Sequence, residues 1–466
     1  MLFSSIPFLY AFLPLTALTY FIAPKKLKNG VLLLFSLVFY GWGEPKYLLL
    51  MLFSITQGYI FGLLIERTRE SRRSKLFLTA SIFVSLLLLG YCKYVDFFIG
   101  SFNGITGLSV PLLNVALPIG ISFYTFQILS YTIDVYRGDA PAQRNYISLA
   151  LYITMFPQLI AGPIVRYTDI VPQLENRTHS FENAAYGIRR FTVGLSKKIL
   201  IANVLAELVS AFKESGEKSV LFFWLYAAAC TLQIYFDFSG YSDMAIGLGR
   251  IFGFRFSENF DYPYISGSIT EFWRRWHISL GSWFRDYLYI PLGGNRVGKY
   301  RRFFNIFVVW FATGIWHGAA WNFVLWGLMY AVLLVNEKLW LLKPLKKSRV
   351  LNHAYTMLFV IIGFVVFDAE SVGSAFSALR SMFGFGGVPF VSAQAVYTLK
   401  SFAVVIIAAI VGATPLLRNL SVRLGRTKAG AAVLTVAEPI GIVLLLTVCT
   451  AYLVDGSFNP FLYFRF

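Results

Sequence analysis

Two of the four histidines stand where a polar side chain is costly. His317 lies in TGIWHGAAWNF at the end of an apolar run, and His277 lies in the aromatic stretch EFWRRWHISL. Histidine titrates near neutral pH and is the commonest general base. Ionisable groups at membrane depth are candidates for functional sites. The pair therefore indicates acid–base chemistry, and a hydrogen-bonded core imidazole is the alternative for each.

Aromatic and polar residues near and beyond these histidines are further candidates. Trp276 precedes His277 and Trp316 precedes His317, so each indole could contact a substrate. The alternative for Trp316 is the aromatic belt that tryptophans form at a membrane interface. Asp237 and Gln127 are polar side chains within apolar runs and are also candidates for substrate contact. A carboxylate in such a run must be paired, protonated or directed into a cavity, and structural support is its alternative role.

The composition identifies an integral membrane protein. Of the 466 residues, 57% are hydrophobic and 14% are charged, whereas soluble domains carry about 25% charged residues. Apolar stretches long enough to cross about 30 Å of hydrocarbon recur along the chain with short polar interruptions. We therefore expect one domain over 1–466, an all-α polytopic membrane body.

The formal net charge of +18 resides largely in short basic clusters beside apolar runs. These clusters are PKKLKNG (24–30), ERTRESRRSK (66–75), KPLKKSR (343–349) and RNLSVRLGRTK (418–428). Basic clusters beside spans mark the cytoplasmic side and attract anionic lipid headgroups. No motif combines basic residues with stacking aromatics, so membrane lipids are expected partners and nucleic acid is not.

Placing the clusters in the cytoplasm predicts about twelve spanning helices, with a range of about 10–13. The expected spans are 2–23, 30–43, 46–65, 76–95, one crossing within 115–163, 199–212, 219–238, 303–319, 321–342, 353–369, 395–417 and 431–454. Proline and glycine in 115–138 and 151–167 indicate that one of these stretches is re-entrant or broken. An even number of crossings places both termini outside.

The interval 250–302 is too polar to span a membrane, yet it is rich in aromatic residues. Its SITE sequence (268–271) fits a capping box with Ser268 as N-cap, which predicts a helix over 268–290. At 100° per residue, one face carries Trp273, Trp276, His277, Leu280, Phe284 and Tyr287, and the other carries Arg274, Arg275, Ser279, Ser282, Arg285 and Asp286. We expect an interfacial amphipathic helix on the cytoplasmic side, with His277 on its buried face.

Templates for other chemistries are missing from the sequence. The chain has no His-x-x-x-His zinc pair, no phosphate-binding P-loop and no G-x-S-x-G elbow. Its three cysteines lie in or beside apolar segments without paired spacing and are expected to be small core residues. This pattern argues against hydrolytic and ATP-driven enzymes and predicts no metal site.

Several motifs together resemble the membrane-bound O-acyltransferase family, in its bacterial alginate O-acetyltransferase branch. They are LPIGISFYTFQILSYTIDVYRG, FPQLIAGPIVRY, YFDFSGYSDMAIGLGRIFGF, NFDYPYISGSITEFWRRWHISLGSWFRDYLYIPLGGNR and GIWHGAAWNFVLWG. The likeness is densest over 117–327, and 328–466 supplies C-terminal helices.

The resemblance implies a helical body around a central tunnel in the bacterial inner membrane. It implies an acyl group passed from a cytoplasmic thioester, most plausibly acetyl-CoA with no bound cofactor, towards an extracytoplasmic polysaccharide such as alginate. The family's essential histidine falls on His317 and a second site position on His277. The C-terminal FNPFLYFRF (458–466) is similar to the branch's aromatic signature. An exported acetyltransferase of the SGNH type is the implied partner.

These expectations combine into one working hypothesis with two alternatives. His317 acts as general base on an acceptor hydroxyl, and His277, Trp276 or backbone amides stabilise the oxyanion. Arg274 and Arg275 are candidates for binding the phosphates of CoA, and a solvated cationic face is their alternative role. One rival is a polysaccharide or lipid-intermediate transporter whose histidines line a proton path. The other is a scaffold that docks exported enzymes and needs no histidine.

Overall fold

The computed structural model describes residues 1–456, and within them the chain is helical with no β-strand. This agrees with the expected all-α class. The predicted aromatic signature at 458–466 lies outside the described residues. Two compact units are present: Met1–Phe191 with Met244–Ser257, and Thr192–Asp243 with the described residues from Glu258 onward.

The first unit holds the N-terminal helices. A π-helical turn at Phe8–Phe12 leads into α1, and a second π-turn at Gly90–Tyr94 joins α4 to α5. Its helices are α1 (Leu13–Ile22), α2 (Lys28–Gly43), α3 (Leu48–Arg67), α4 (Arg72–Leu89), α5 (Val95–Thr106), α6 (Ile121–Arg137), α7 (Tyr146–Thr154), α8 (Phe156–Leu159), α9 (Tyr167–Glu175) and most of α10 (Phe181–Ser196).

The second unit holds the remaining helices and both candidate histidines. Its helices are α11 (Val204–Glu214), most of α12 (Val220–Ile251), α13 (Ile269–Arg275), α14 (Ile278–Phe284), α15 (Lys299–His317), α16 (Trp321–Asn336), α17 (Leu342–Leu345), α18 (Arg349–Asp368), α19 (Val372–Met382), α20 (Ala393–Gly412), α21 (Leu416–Gly425) and α22 (Lys428–Val454). Apolar stretches form helices because a lipid environment leaves backbone groups no other hydrogen-bond partners.

Seven helical segments of the described chain are long and apolar enough to span a membrane, which makes the protein multi-pass. They are Pro45–Arg67, Arg72–Thr106, Val220–Ile251, Trp321–Leu345, Arg349–Asp368, Ala393–Gly412 and Lys428–Val454, and the shorter Phe8–Ile22 is also apolar. The expected count of about twelve is not confirmed. Helix lengths differ from the predicted spans because π-turns let α4 continue into α5 without a loop.

A broken helix occurs in 151–167, one of the two stretches of which one is predicted to be re-entrant or broken. Helix α7 ends at Thr154, α8 covers only Phe156–Leu159, and the next helix begins at Tyr167. Gly162 permits the turn after α8, since a Cβ there would lie 2.5 Å from the Cα of Gln158. Proline at 157 also lacks the N–H that a continuing helix needs.

The continuous helix expected over 268–290 is wrong, although its N-terminal cap is confirmed. The Ser268 hydroxyl accepts a hydrogen bond from the Glu271 N–H at 3.0 Å, whereas the Glu271 carboxylate accepts from the Gly267 N–H instead of that of Ser268. The helix ends at Arg275 and restarts at Ile278, because His277 adopts the left-handed conformation with φ 44° and ψ 54°. This break turns Ser279 inward, and the hydroxyl expected on the polar face is buried.

Although the helix is broken, neighbouring positions still differ in solvent exposure, and cysteine labelling can measure this difference. In a background with Cys92, Cys230 and Cys449 replaced, a cysteine at Arg274 is expected to react with an aqueous maleimide because position 274 is exposed. A cysteine at His277, where the native side chain is 2% exposed, is expected to stay unreacted. A cysteine at exposed Arg285 provides the positive control, and equal labelling at 274 and 277 would contradict the placement.

Candidate functional site

A close-packed hairpin of α15 and α16 positions His317. A Cβ on Gly327 would lie 3.2 Å from the Cα of Gly314, and a Cβ on Gly314 would lie 2.5 Å from the Phe323 carbonyl oxygen. Small residues of this kind let helix backbones approach in a membrane. The two glycines therefore fix the end of α15, where His317 is the last helical residue.

Three aromatic side chains surround the His317 ring edge-on. The ring centroids of Trp316 and Trp326 lie 5.0 Å from that of His317, and the Phe367 centroid lies 5.2 Å away. His317 is half-buried, whereas Trp316 and Trp326 are buried. Edge-to-face packing at these distances is favourable and restricts the imidazole's orientation.

His277 lies at the break between α13 and α14 and has a defined tautomer. Asn259 Oδ1 accepts a hydrogen bond from the Ser279 backbone N–H at 3.2 Å, which identifies that atom as the amide oxygen. His277 Nδ1 lies 3.1 Å from the same oxygen, so Nδ1 must carry a proton and donate it. In the neutral ring Nε2 is then an acceptor, and it has no hydrogen-bond partner among residues 1–456.

A buried hydrogen-bond acceptor without a partner, on a residue with a strained backbone conformation, is a feature of functional sites. His277 is 2% exposed, and its φ of 44° is rare for a residue with a Cβ. Such conformations cost about 1–3 kcal/mol and persist where the surroundings enforce them. Asn259 and Ser279 enforce this one, and the Phe238 ring packs edge-on against the imidazole at 4.6 Å.

Trp316 brings the two histidines together. Its ring centroid lies 6.1 Å from that of His277 and 5.0 Å from that of His317. Burial lowers the pKa of His277 well below its usual range, and the charge of His317 lowers it further. His277 is therefore neutral at physiological pH.

The lowered pKa of His277 predicts a loss of stability in acid. An unfolded histidine has a pKa of about 6.5, so below that pH the unfolded chain binds a proton that the folded chain excludes. Stability is expected to fall as pH decreases from about 6.5, by up to about 1.4 kcal/mol per pH unit. Thermal unfolding of wild type and His277→Asn at pH 7.5 and 5.5 measures this. An equal acid-induced drop in both proteins would contradict the assignment.

The other predicted site residues have varied surroundings. Trp276 is 4% exposed and packs against Phe272 and Phe364, beside His277 in the chain. Asp237 is paired, one of the outcomes expected for it: Lys198 Nζ lies 2.6 Å from its Oδ1, with both side chains 3% exposed. Gln127 is buried in α6 of the first unit, and its Oε1 accepts no hydrogen bond from the described residues.

The two arginines of α13 differ from each other. Arg275 forms ion pairs with Glu271 and Asp261, each at 2.9 Å. Arg274 is exposed, and Arg274 and Arg302 both act electrostatically on Lys338. Arg274 therefore has cationic neighbours, whereas the charge of Arg275 is locally compensated.

Sequence reasoning missed four residues that define this site: Asn259, Ser279, Trp326 and Phe367. Asn259 occurs in NFDYPY, within a quoted motif, but nothing in its spacing shows that it would fix the His277 tautomer. Trp326 lies nine residues beyond His317, and the hairpin returns it to the imidazole. Among residues 1–456, no group of three His, Cys, Asp or Glu side chains could hold a metal ion.

Comparisons with known proteins match the region that contains this site. The profile described as MBOAT, membrane-bound O-acyltransferase family, matches residues 91–367. The probable alginate O-acetylase of Azotobacter vinelandii is 45% identical over 395 residues, covering 83% of this chain and 79% of that protein. The peptidoglycan O-acetyltransferase of Helicobacter pylori is 35% identical over 425 residues, covering 83% and 81%. The teichoic acid D-alanyltransferase of Bacillus subtilis is 28% identical over 281 residues, covering 56% and 71%.

Proposed function

Because the chain belongs to the membrane-bound O-acyltransferase family, we propose that it moves an acetyl group from acetyl-CoA to a polysaccharide hydroxyl with His317 as general base. That it is a membrane O-acyltransferase follows from the family and from relatives that carry O-acetylation in their names. The observation that carries the site is that the rings of His277 and His317 both pack against one indole, that of Trp316.

The proposed reaction is a direct acyl transfer. The imidazole of His317 takes the proton of an acceptor hydroxyl as that oxygen attacks the thioester carbonyl carbon. The tetrahedral intermediate then expels the thiolate of CoA, which takes the proton back from the imidazolium. One C–S bond is broken and one C–O bond is formed, and the products are CoA and an acetyl ester.

His277 is assigned to orienting the acceptor sugar. Its Nδ1–H is committed to Asn259, so its Nε2 lone pair can accept a hydrogen bond from a substrate but cannot donate one. This tautomer does not fit the oxyanion role considered for His277 from sequence, because an oxyanion requires donors. Accepting from a second hydroxyl of the acceptor sugar would orient the nucleophile, whose own O–H proton goes to His317, and this contribution depends on precise placement.

Trp326 is the better candidate for oxyanion stabilisation. Its ring lies edge-on to His317 with centroids 5.0 Å apart, and it is 1% exposed. Its Nε1–H has no acceptor among the described residues. A buried, unpaired donor beside the base is the arrangement that charge developing on a carbonyl oxygen would satisfy.

Arg274 is the proposed contact for the CoA phosphates. It is exposed and shares an electrostatic environment with Arg302 and Lys338, and phosphate binding would offset repulsion among these cations. Arg275 is less suited because two carboxylates already pair with it.

The remaining proposals concern the acceptor and the cellular setting. The relatives are named for alginate, peptidoglycan and teichoic acid, all polymers of the bacterial envelope. Of these, the alginate-named relative shares the highest identity, so an alginate-like polysaccharide is the proposed acceptor, reached directly or through an exported SGNH-type acetyltransferase. The protein is proposed to lie in the bacterial inner membrane with its basic clusters in the cytoplasm. A tunnel through its helical body is proposed to carry the acyl group.

The C-terminal aromatic segment is proposed to dock the exported partner. Deleting 458–466 is expected to lower polymer acetylation in cells and to leave acetyl-CoA turnover by the purified protein intact, because aromatic residues are enriched among the side chains that dominate protein interfaces. If both activities and thermal stability fall together, the segment supports the membrane body instead. A C-terminal reporter found in the cytoplasm would contradict the docking role.

Donor use tests the function of the isolated protein. Purified full-length protein is supplied with acetyl-CoA, palmitoyl-CoA or free acetate together with an alginate oligosaccharide, and both CoA release and ester formation are measured. The expected result is that only acetyl-CoA, among the three donors, gives ester formation, and that this ester formation is matched by CoA release. Binding or movement of the oligosaccharide without CoA release would support the transporter instead.

A further inference from the structure

Basic side chains converge on Tyr20 at the end of α1, within the first unit. Arg177 Nε donates to the Tyr20 hydroxyl at 2.8 Å, and His179 Nε2 lies 2.8 Å from the same oxygen. The hydroxyl lies 3.0 Å from the Phe252 carbonyl oxygen and donates its own proton there. Lys28 Nζ donates to the Tyr20 carbonyl oxygen at 2.9 Å and lies 4.3 Å from the Tyr20 ring centroid.

The hydrogen-bond and ring partners of these basic side chains in residues 1–456 are neutral. Arg177 Nη1 donates to Asn29 Oδ1 at 2.7 Å, and its guanidinium lies 4.6 Å from the Phe254 ring centroid. These basic groups therefore contact carbonyl oxygens, a phenol, an amide oxygen and aromatic rings, and none of these partners carries a compensating negative charge. Lys25 lies in the turn Lys25–Leu27 directly before Lys28, and its charge acts on His179. We call Lys25, Lys28, Arg177 and His179 the Tyr20 cluster.

The lysine and arginine charges of the Tyr20 cluster act on His179. Burial lowers the pKa of His179, and the charges of Lys28, Arg177 and Lys25 lower it further. Like charges that lie close together without a counter-charge repel one another. An anion bound among them would make the net electrostatic interaction favourable.

Lipid-accessible residues adjoin the cluster on α1. Leu18, Phe21 and Ile22 are 61%, 46% and 75% exposed. In a membrane protein, exposed apolar side chains on a helix of this kind face acyl chains. A soluble anion would make no use of them, whereas a phospholipid carries both a phosphate and acyl chains.

We propose that the Tyr20 cluster binds the phosphate of an anionic phospholipid, whose acyl chains lie along Leu18, Phe21 and Ile22. Lysine and arginine donate charge-assisted hydrogen bonds to the phosphate oxygens. Basic pockets beside membrane helices recognise anionic headgroups in this way. The site does not depend on the acyl-transfer proposal.

Native mass spectrometry of the purified full-length protein, titrated with phosphatidylglycerol or phosphatidylcholine, tests the site. Each basic residue near a membrane surface contributes an affinity factor of about fivefold for anionic lipid. Lys25→Gln with Lys28→Gln is therefore expected to weaken phosphatidylglycerol binding about 30-fold. Lys346→Gln with Lys347→Gln, which removes two exposed charges from another basic cluster, is expected to leave the tightest binding step unchanged.

A single Lys25→Gln variant keeps the test decisive if the double variant folds poorly, since Lys25 is exposed. It is expected to weaken binding about fivefold. Equal weakening by the 346/347 control would show diffuse surface attraction and overturn the proposal. Displacement of phosphatidylglycerol by millimolar inorganic phosphate would identify a soluble-anion site and overturn the lipid assignment.

Discussion

Replacing His317 with alanine is expected to lower the rate of acetyl transfer about 10²–10⁴-fold, the contribution of a positioned general base. The unfolding temperature is expected to stay near wild type, because His317 is only half-buried and the close contacts of the hairpin belong to Gly314 and Gly327. Initial rates of CoA release with acetyl-CoA and an alginate oligosaccharide, together with thermal unfolding in detergent, measure both quantities.

The same substitution at another histidine of the second unit provides the control. His353 lies 3.2 Å through Nδ1 from the Ser266 carbonyl oxygen and has no role in the proposed reaction. His353→Ala is expected to retain the rate of CoA release. A His317→Ala protein that keeps its fold and most of its transfer activity would contradict the base assignment.

Replacing Gly327 with alanine is expected to impair folding and transfer together. The added Cβ would collide with the Trp310 carbonyl oxygen and lie 3.2 Å from the Gly314 Cα, and backbone atoms cannot rotate away as a flexible side chain can. Overpacking typically destabilises by about 1–3 kcal/mol. Separation of α15 from α16 would also displace His317, and a misplacement of about 1 Å costs on the order of 100-fold in rate.

Gly441→Ala is the matched control for this prediction. Gly441 lies within α22, and a Cβ at this position would meet nothing within 4 Å. Its alanine variant should unfold at or above the wild-type temperature, because alanine has the higher helix propensity. A Gly327→Ala protein as stable and active as Gly441→Ala would show that the hairpin contact does not position the site.

Patterns of residue type predicted the class of fold, and they made the two histidines candidates for the site. Apolar runs separated by basic clusters indicate a membrane protein because the bilayer imposes length and charge rules on every span. Similarly, Ser268 was identifiable as a cap because its hydroxyl needs only local backbone partners. Helix length was less predictable, since π-turns such as Gly90–Tyr94 extend a helix without a signal in hydropathy.

The geometry of the site could not be read from periodicity. Periodicity predicts a regular helix through His277, whereas contacts with Asn259, distant in sequence, hold His277 in a left-handed conformation. The role of Asp237 was likewise open until Lys198 was found 2.6 Å away. Tautomer, ion pairing and backbone strain depend on tertiary neighbours, and residue spacing within one helix does not specify them.

The stoichiometry of transfer across a membrane tests the central claim most directly. The purified protein is reconstituted into liposomes with radiolabelled acetyl-CoA on the side of Arg274 and an alginate oligosaccharide, with the exported acetyltransferase, on the other. The account predicts that one CoA is released for each labelled acetyl ester formed on the opposite side, and that His317→Ala lowers the rates of both about 10²–10⁴-fold. Passage of oligosaccharide without CoA release, or equal ester formation by His317→Ala, would contradict it.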